Sequence, residues 1–327
     1  MTAIPRIPVG ERLTLPVVGS WPESCHVFAE PDAYAIAAAI AAGRPLLVRG
    51  EPGVGKSQLA RAAAVVCGRL FVSEVVHSRS EPQDLQWRFD AVARLGEAQA
   101  LGAARVEDVG PALNPLRYLS PGVLWWTFDH EAARVQHERC RHPLRAPEMP
   151  PGWTPARGAV LLIDEIDKAE PDLPNGLLEV LGNGAFTVPY LDAPVRHREG
   201  PPPLVVITTN EERELPAAFV RRCLVLRLAL PAARSEFVGF LQDRGHRHFP
   251  DSFPAVRLVV AERLWEDRQE ALKAGGAPPG QAEYLDILRA LTHLTAHLTD
   301  AAQREPEQAR LFGHIADFAL KKASVDL

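Results

Sequence analysis

Residues Gly50-Glu51-Pro52-Gly53-Val54-Gly55-Lys56-Ser57 satisfy the spacing G-x-x-x-x-G-K-[ST] at every fixed position. Few short motifs constrain a fold so tightly, because the chemistry demands a fixed setting. The glycines let the backbone turn with its N–H groups inward, where they can surround a β-phosphate. Lys56 sets an ammonium against β- and γ-oxygens, and Ser57 offers a hydroxyl to Mg²⁺ where a helix begins and its dipole favours anions. The flanks supply that setting. Residues 45–49 are a short apolar run suited to a buried parallel strand, and 58–66 form a good helix beginning at Gln58. Strand, glycine loop and helix in this order predict a phosphate-binding loop. Gly68 ends the helix and 70–76 read as a second strand, so the pattern is βαβ, the start of a parallel sheet covered by helices.

At 327 residues the chain is long enough for two domains. Its 36 basic and 41 acidic side chains leave a net charge of −5. That balance argues against a surface devoted to nucleic acid, while leaving room for a local basic pore. The cysteines Cys25, Cys67, Cys140 and Cys223 have no paired spacing that would suggest a disulfide framework. The first residues lack a basic segment followed by an apolar core, and no apolar run approaches the ~20 residues that span a bilayer. The expectation is a cytoplasmic protein without membrane insertion.

Residues 1–30 read as a Pro-rich extended arm, and 33–42 as a helix capped by Asp32 and ended by Gly43. Residues 77–158 form a less regular insert. Within it 80–90 suggest a loop and a short helix, Tyr118–Trp126 a Pro-Gly turn entering an apolar helix, and 143–158 a flexible excursion. His130, His137, Cys140 and His142 cluster there without a zinc-like spacing and read as polar loop residues. Residues 159–163 are the clearest buried strand, followed by a helix at 172–181. Gly184–Pro189 suggest a hairpin whose return strand is 204–210. A helix at 217–222 and a strand at 224–228 follow, and beyond Pro231 four amphipathic helices near 232–244, 254–273, 281–298 and 302–322 indicate a helical domain.

The strand ending at Asp164-Glu165 supplies acids for more than binding. Asp164 suits Mg²⁺, held through an outer-shell water, and Glu165 can take a proton from an attacking water. Taken alone, an acidic pair after a strand would read as a helix cap; beside a phosphate loop it reads as catalytic. Asn210, after a further strand, can orient that water or cap a turn. Arg221 and Arg222 can complete a helix dipole in solvent, or reach the γ-phosphate of a neighbouring subunit.

The order of Gly50–Ser57, Val160–Ala169, Val205–Asn210 and Leu215–Cys223 before a helical region resembles the AAA+ ATPases, over about residues 30–295. Ile166-Asp167-Lys168-Ala169, Leu177–Leu181 and Gly184–Val188 look like the MoxR-like branch, and Tyr118–Trp126 like that branch's insert. The resemblance implies an α/β fold of P-loop NTPase type: a three-layer αβα domain over 31–230 with a parallel sheet, then a small all-helical lid over 231–327. It implies ATP and Mg²⁺ as ligands, with Gly50 to Gln58 around the nucleotide and Ser57 and Asp164 at the metal. Glu165 would activate water, Asn210 would be sensor 1, and Arg222, with Arg221 the next choice, the trans-acting finger. It further implies a ring, as a hexamer, that remodels a protein client, often with a von Willebrand A-type partner. The chain departs from that pattern where a lid arginine is expected, because 278–283 contain none; Arg289, about two turns further on, is either a substitute candidate or an ordinary exposed helix charge. Two alternatives stay open: a motor subunit of a bacterial defence or restriction system, using GTP or ATP, and an ATP-gated scaffold that hydrolyses slowly.

Overall fold

The computed structural model describes residues 6–105, 108–198 and 200–320. Residues 1–5 of the expected arm, 106–107 of the insert and 321–322 of the last expected helix lie outside them. Contacts divide the chain into two units. One joins the residues up to Arg49 with Ser57–Arg227; the other joins Gly50–Lys56 with the residues from Leu228 onward.

The first unit is built on five strands: β1 (Leu46–Arg49), β2 (Leu70–Val75), β3 (Ala159–Asp164), β4 (Leu204–Thr209) and β5 (Leu224–Arg227). They lie in the order β5-β1-β4-β3-β2, and all neighbours are parallel. Strands covered by helices on both faces must be apolar on both, which is why β1, β3 and β4 are nearly unbroken runs of Leu, Val and Ile. Leu47, Leu161, Ile163, Val205 and Ile207 enter one core with Trp125, Phe128, Leu173 and Leu177. Their alternates Leu46, Val48, Val160, Leu162 and Val206 are equally buried and point to the opposite face. Each such side chain contributes about 1.5–3 kcal/mol by leaving water.

Several expectations change in this unit. The hairpin read from Gly184 to residue 210 does not form. Ala185–Phe186 pair instead with Val195–Arg196, and Leu204–Thr209 take the middle of the parallel sheet. All six residues of β4 are buried, whereas a hairpin arm with one wet face would alternate. The first thirty residues hold a short antiparallel pair, Leu13–Leu15 with Ser24–His26. Buried Arg61 anchors it by donating to the carbonyls of Leu15 and Pro16 and to Ser24 Oγ. The first helix starts earlier, at Glu30, with Ala29 at its N-cap. Asp32 sits inside the first turn and accepts from the Ala29 N–H at 2.8 Å.

Within the insert, Trp87–Phe89 form a strand against Leu119–Pro121 where a short helix was expected. Val123–Phe128 are a buried helix packed on β2 and β3. Residues 130–139 are helical where loop was expected: His130 packs on Trp126 and Trp153, and His137 on Trp126. Burial lowers the pKa of His130, so the ring stays neutral near pH 7. Residues 143–158 are pinned by Leu144 N–H on Ser120 Oγ, Gly19 N–H on Glu148, and Trp153 Nε1 on Gly158 O.

The second unit contains the helices Arg234–His248, Pro254–Lys273, Gln281–Leu294 and Ala301–Leu320. Phe237, Leu241, Val260, Leu264, Tyr284, Leu288, Leu291 and Phe312 form its core. Among the described residues no helix is long and apolar enough to cross a membrane.

Candidate functional site

In open parallel sheets ligands lie beyond the carboxyl ends of the strands, where chain connections diverge. From β1 the chain crosses to the far edge at β2, and from β4 it leaves past β1 to β5. The carboxyl ends of β3 and β4 gather the acidic and hydroxyl groups. The β3–β4 register aligns Ile163 with Ile207, and so brings the next residues, Asp164 and Thr208, side by side. Thr208 Oγ1 donates to Asp164 Oδ1 and accepts from the Glu165 N–H at 3.0 Å. Ser57 Oγ, at the head of the helix Lys56–Cys67, lies 2.9 Å from both oxygens of Asp164 and shares its proton between them.

Glu165 follows in a left-handed conformation, φ 60° and ψ 46°, at the cap of the 3₁₀ turn Ile166–Lys168. A non-glycine residue held there costs about 1–3 kcal/mol and persists only where its surroundings enforce it. The Thr208 hydroxyl bound to its N–H is one such restraint. The Glu165 carboxylate pairs with Lys168 at 2.8 Å. The same contact, first through its hydrogen bond and then through charge, raises the pKa of Lys168. Since both side chains are part exposed, the pair is worth at most about 1 kcal/mol. Lys168→Ala, which frees the carboxylate, is therefore expected to raise turnover by no more than about fivefold. A fall in phosphate release would show instead that Lys168 supports the step.

Asp167 is 2 % exposed and holds the segment after β4, accepting from the N–H groups of Asn210 at 3.4 Å and Glu212 at 2.9 Å. Asn210 is thus tied by its backbone to the turn that carries Glu165. The helix Ala217–Arg222 places Arg221 and Arg222 exposed in its last turn. Arg44 gathers the carbonyls at that end, donating to Arg222 O at 3.0 Å, Arg221 O at 2.5 Å and Cys223 O at 3.3 Å. The Gln58 side chain accepts from Ser24 Oγ at 3.3 Å, so it meets the N-terminal hairpin.

In the second unit the phosphate loop folds on itself and on the helices. Lys56 Nζ donates to the carbonyls of Gly50 and Glu51, both at 2.8 Å. Gly50 has φ 153°, and a Cβ there would stand 2.3 Å from Leu228 O. At Gly53, with φ 78°, a Cβ would stand 2.7 Å from that of Ala282. Both positions need glycine. Pro52 and Gly53 are exposed, and Val54 and Gly55 half-buried. Arg289 pairs with Asp286 on an exposed face at 2.8 Å. Arg268 reaches the loop, meeting Glu51 at 2.7 Å.

A family model described as AAA domain (dynein-related subfamily) matches residues 45–223, more than half of the chain. The chain belongs to the AAA family. No curated protein matches it. The sheet with its flanking helices and C-terminal helical bundle is the αβα P-loop architecture with a helical lid that such a domain has. Membership carries nucleotide-dependent function with it, usually with Mg²⁺. The donor set of this AAA domain suits that ion: the Ser57 hydroxyl and the Asp164 carboxylate are hard oxygen donors already brought together. Sequence reasoning missed Thr208, Asp167, Arg44 and Arg268. Thr208 acts across the sheet, Arg44 and Arg268 act on partners elsewhere in the chain, and Asp167 stood in plain view as an acid after β3.

Proposed function

We propose that this AAA protein hydrolyses ATP as a ring-forming machine of MoxR-like type that remodels or activates a protein partner. One observation carries the reading: Ser57, the last residue of the phosphate-loop motif, meets Asp164, Thr208 and Glu165 at the carboxyl ends of β3 and β4. Gly50 to Lys56 would hold the phosphates through backbone N–H groups, with Lys56 exchanging its own loop carbonyls for phosphate oxygens. Ser57 and Asp164 would hold Mg²⁺, which supplies charge neutralisation at the phosphates. Glu165 would take a proton from water, and Asn210 would orient that water. Arg222, or Arg221, would complete the site of a neighbouring copy. The helices beyond residue 230 would serve as the lid.

The test combines native mass measurement with and without MgATP and phosphate release across protein concentration. A nucleotide-driven shift to a hexamer, with turnover per chain rising steeply as the protein assembles, is expected. Turnover that is independent of concentration would sink the ring reading. It would favour the second reading, a slow ATP-gated switch, which draws support from the Glu165–Lys168 pair.

A further inference from the structure

We infer that Arg268 is a positioning residue for the phosphate loop and links the C-terminal helices to bound nucleotide through Glu51. The inference rests on the nucleotide-binding reading above. Arginine is almost never this deeply buried without partners, and Arg268 is only 7 % exposed. Its Nη2 donates to Glu51 Oε1 at 2.7 Å, and its Nη1 donates to Pro279 O at 3.1 Å. The guanidinium also lies 5.7 Å from the ring centroid of Phe237. The neighbouring acid, Asp267, is engaged by Arg263 at 3.0 Å. One planar fork thus joins three parts of the unit: the helix that carries it, the turn before Gln281–Leu294, and the second residue of the loop. A lysine would carry all its donors on one nitrogen and lack the planar fork that spreads these two contacts over Nη1 and Nη2.

Glu51 is gripped at both ends. Its carbonyl takes Lys56 Nζ and its carboxylate takes Arg268. Two residues on, Gly53 is seated against Ala282 at the head of Gln281–Leu294. That head is fixed by Glu283, which accepts from the Gly280 N–H at 2.9 Å. When Lys56 turns to phosphate oxygens, it releases the Glu51 carbonyl. The Arg268 contact then remains to hold the loop in its phosphate-binding shape, and any shift of the loop passes through the same contact to the helices. Coupling of this kind is reciprocal: helices that stabilise the loop tighten nucleotide, and nucleotide stabilises the helices.

The test uses the full chain, with MgATP titrated by calorimetry, steady-state kinetics, and hydrogen exchange over residues 254–294. Glu51→Gln carries it, because Glu51 is partly exposed and its substitution leaves the Arg268–Pro279 bond in place. It is expected to raise the ATP Kd and KM about tenfold, the size of a charge-assisted hydrogen bond, with kcat within about twofold. The ATP-induced protection of 254–294 that is expected in the unsubstituted chain should be lost. Arg268→Lys should recover part of the affinity that Arg268→Ala loses, and Glu51→Gln with Arg268→Ala should bind no worse than the weaker single variant. Wild-type affinity and wild-type protection in Glu51→Gln would overturn the inference. An unsubstituted chain that fails to bind MgATP would overturn the underlying nucleotide reading instead.

Discussion

Glu165→Gln is expected to bind MgATP as tightly as the unsubstituted chain and to lose turnover by about 10²–10⁴-fold, the usual contribution of a positioned general base. The substitution isolates proton transfer from the rest of the site. Glutamine keeps the length of the side chain and an oxygen that can accept from Lys168, so the turn Ile166–Lys168 loses only an exposed ion pair, worth at most about 1 kcal/mol. Ser57 and Asp164 keep their contact, since neither leans on the Glu165 carboxylate. What disappears is the ability to take a proton. Calorimetric binding beside single-turnover phosphate release separates the two effects. A variant that turns over within about threefold of the parent would remove Glu165 from the chemistry. One that fails to bind would show that the left-handed backbone, and not the carboxylate, had been disturbed.

The parts of this molecule that announce themselves in sequence are the locally determined ones. The phosphate loop is legible because its glycines answer to backbone conformation, and Gly50 and Gly53 do stand where a Cβ would collide. Strand β3 is legible because a strand buried on both faces leaves an uninterrupted apolar run. The same logic, pressed harder, would have placed Leu204–Thr209 in the centre of the sheet and not in a hairpin, since that run does not alternate either. Residues 80–90 suggest a loop and a short helix on their own, because the strand character of Trp87–Phe89 comes from Leu119–Pro121, about thirty residues later. Arg268 could not be read at all: it stands 217 residues from Glu51, and nothing near it in sequence marks it apart from other helix arginines. Looking for a lid arginine at the head of Gln281–Leu294 led to Arg289, which the structure leaves on an exposed face with Asp286.

Arg222→Ala is the second variant with a large expected effect, a loss of about 10³-fold or more in turnover if it acts as a finger on transferring phosphate. Its nucleotide affinity should hold, because a finger contributes to a neighbour's site and not to its own. The decisive measurement mixes two inactive chains, Arg222→Ala and Glu165→Gln. In a head-to-tail ring, an Arg222→Ala chain facing the intact arginine of a Glu165→Gln neighbour regains a full site. Equal mixing should then restore roughly a quarter of the parent rate. Arginines acting within their own chain would restore nothing. Arg221→Ala runs as the parallel arm, and whichever substitution is complemented names the finger. The local structure gives this comparison its meaning. Ala217–Arg222 is a six-residue helix, too short to be stable alone, and Arg44 gathers its terminal carbonyls. Arg44→Ala leaves both arginines in the chain but loosens the helix end that aims them. It should therefore lower kcat while leaving ATP affinity unchanged, and the mixing experiment should rescue it as it rescues Arg222→Ala. Rescue of both would assign the aiming of the finger to Arg44, because loss of a purely structural contact would follow the chain and could not be supplied by its neighbour.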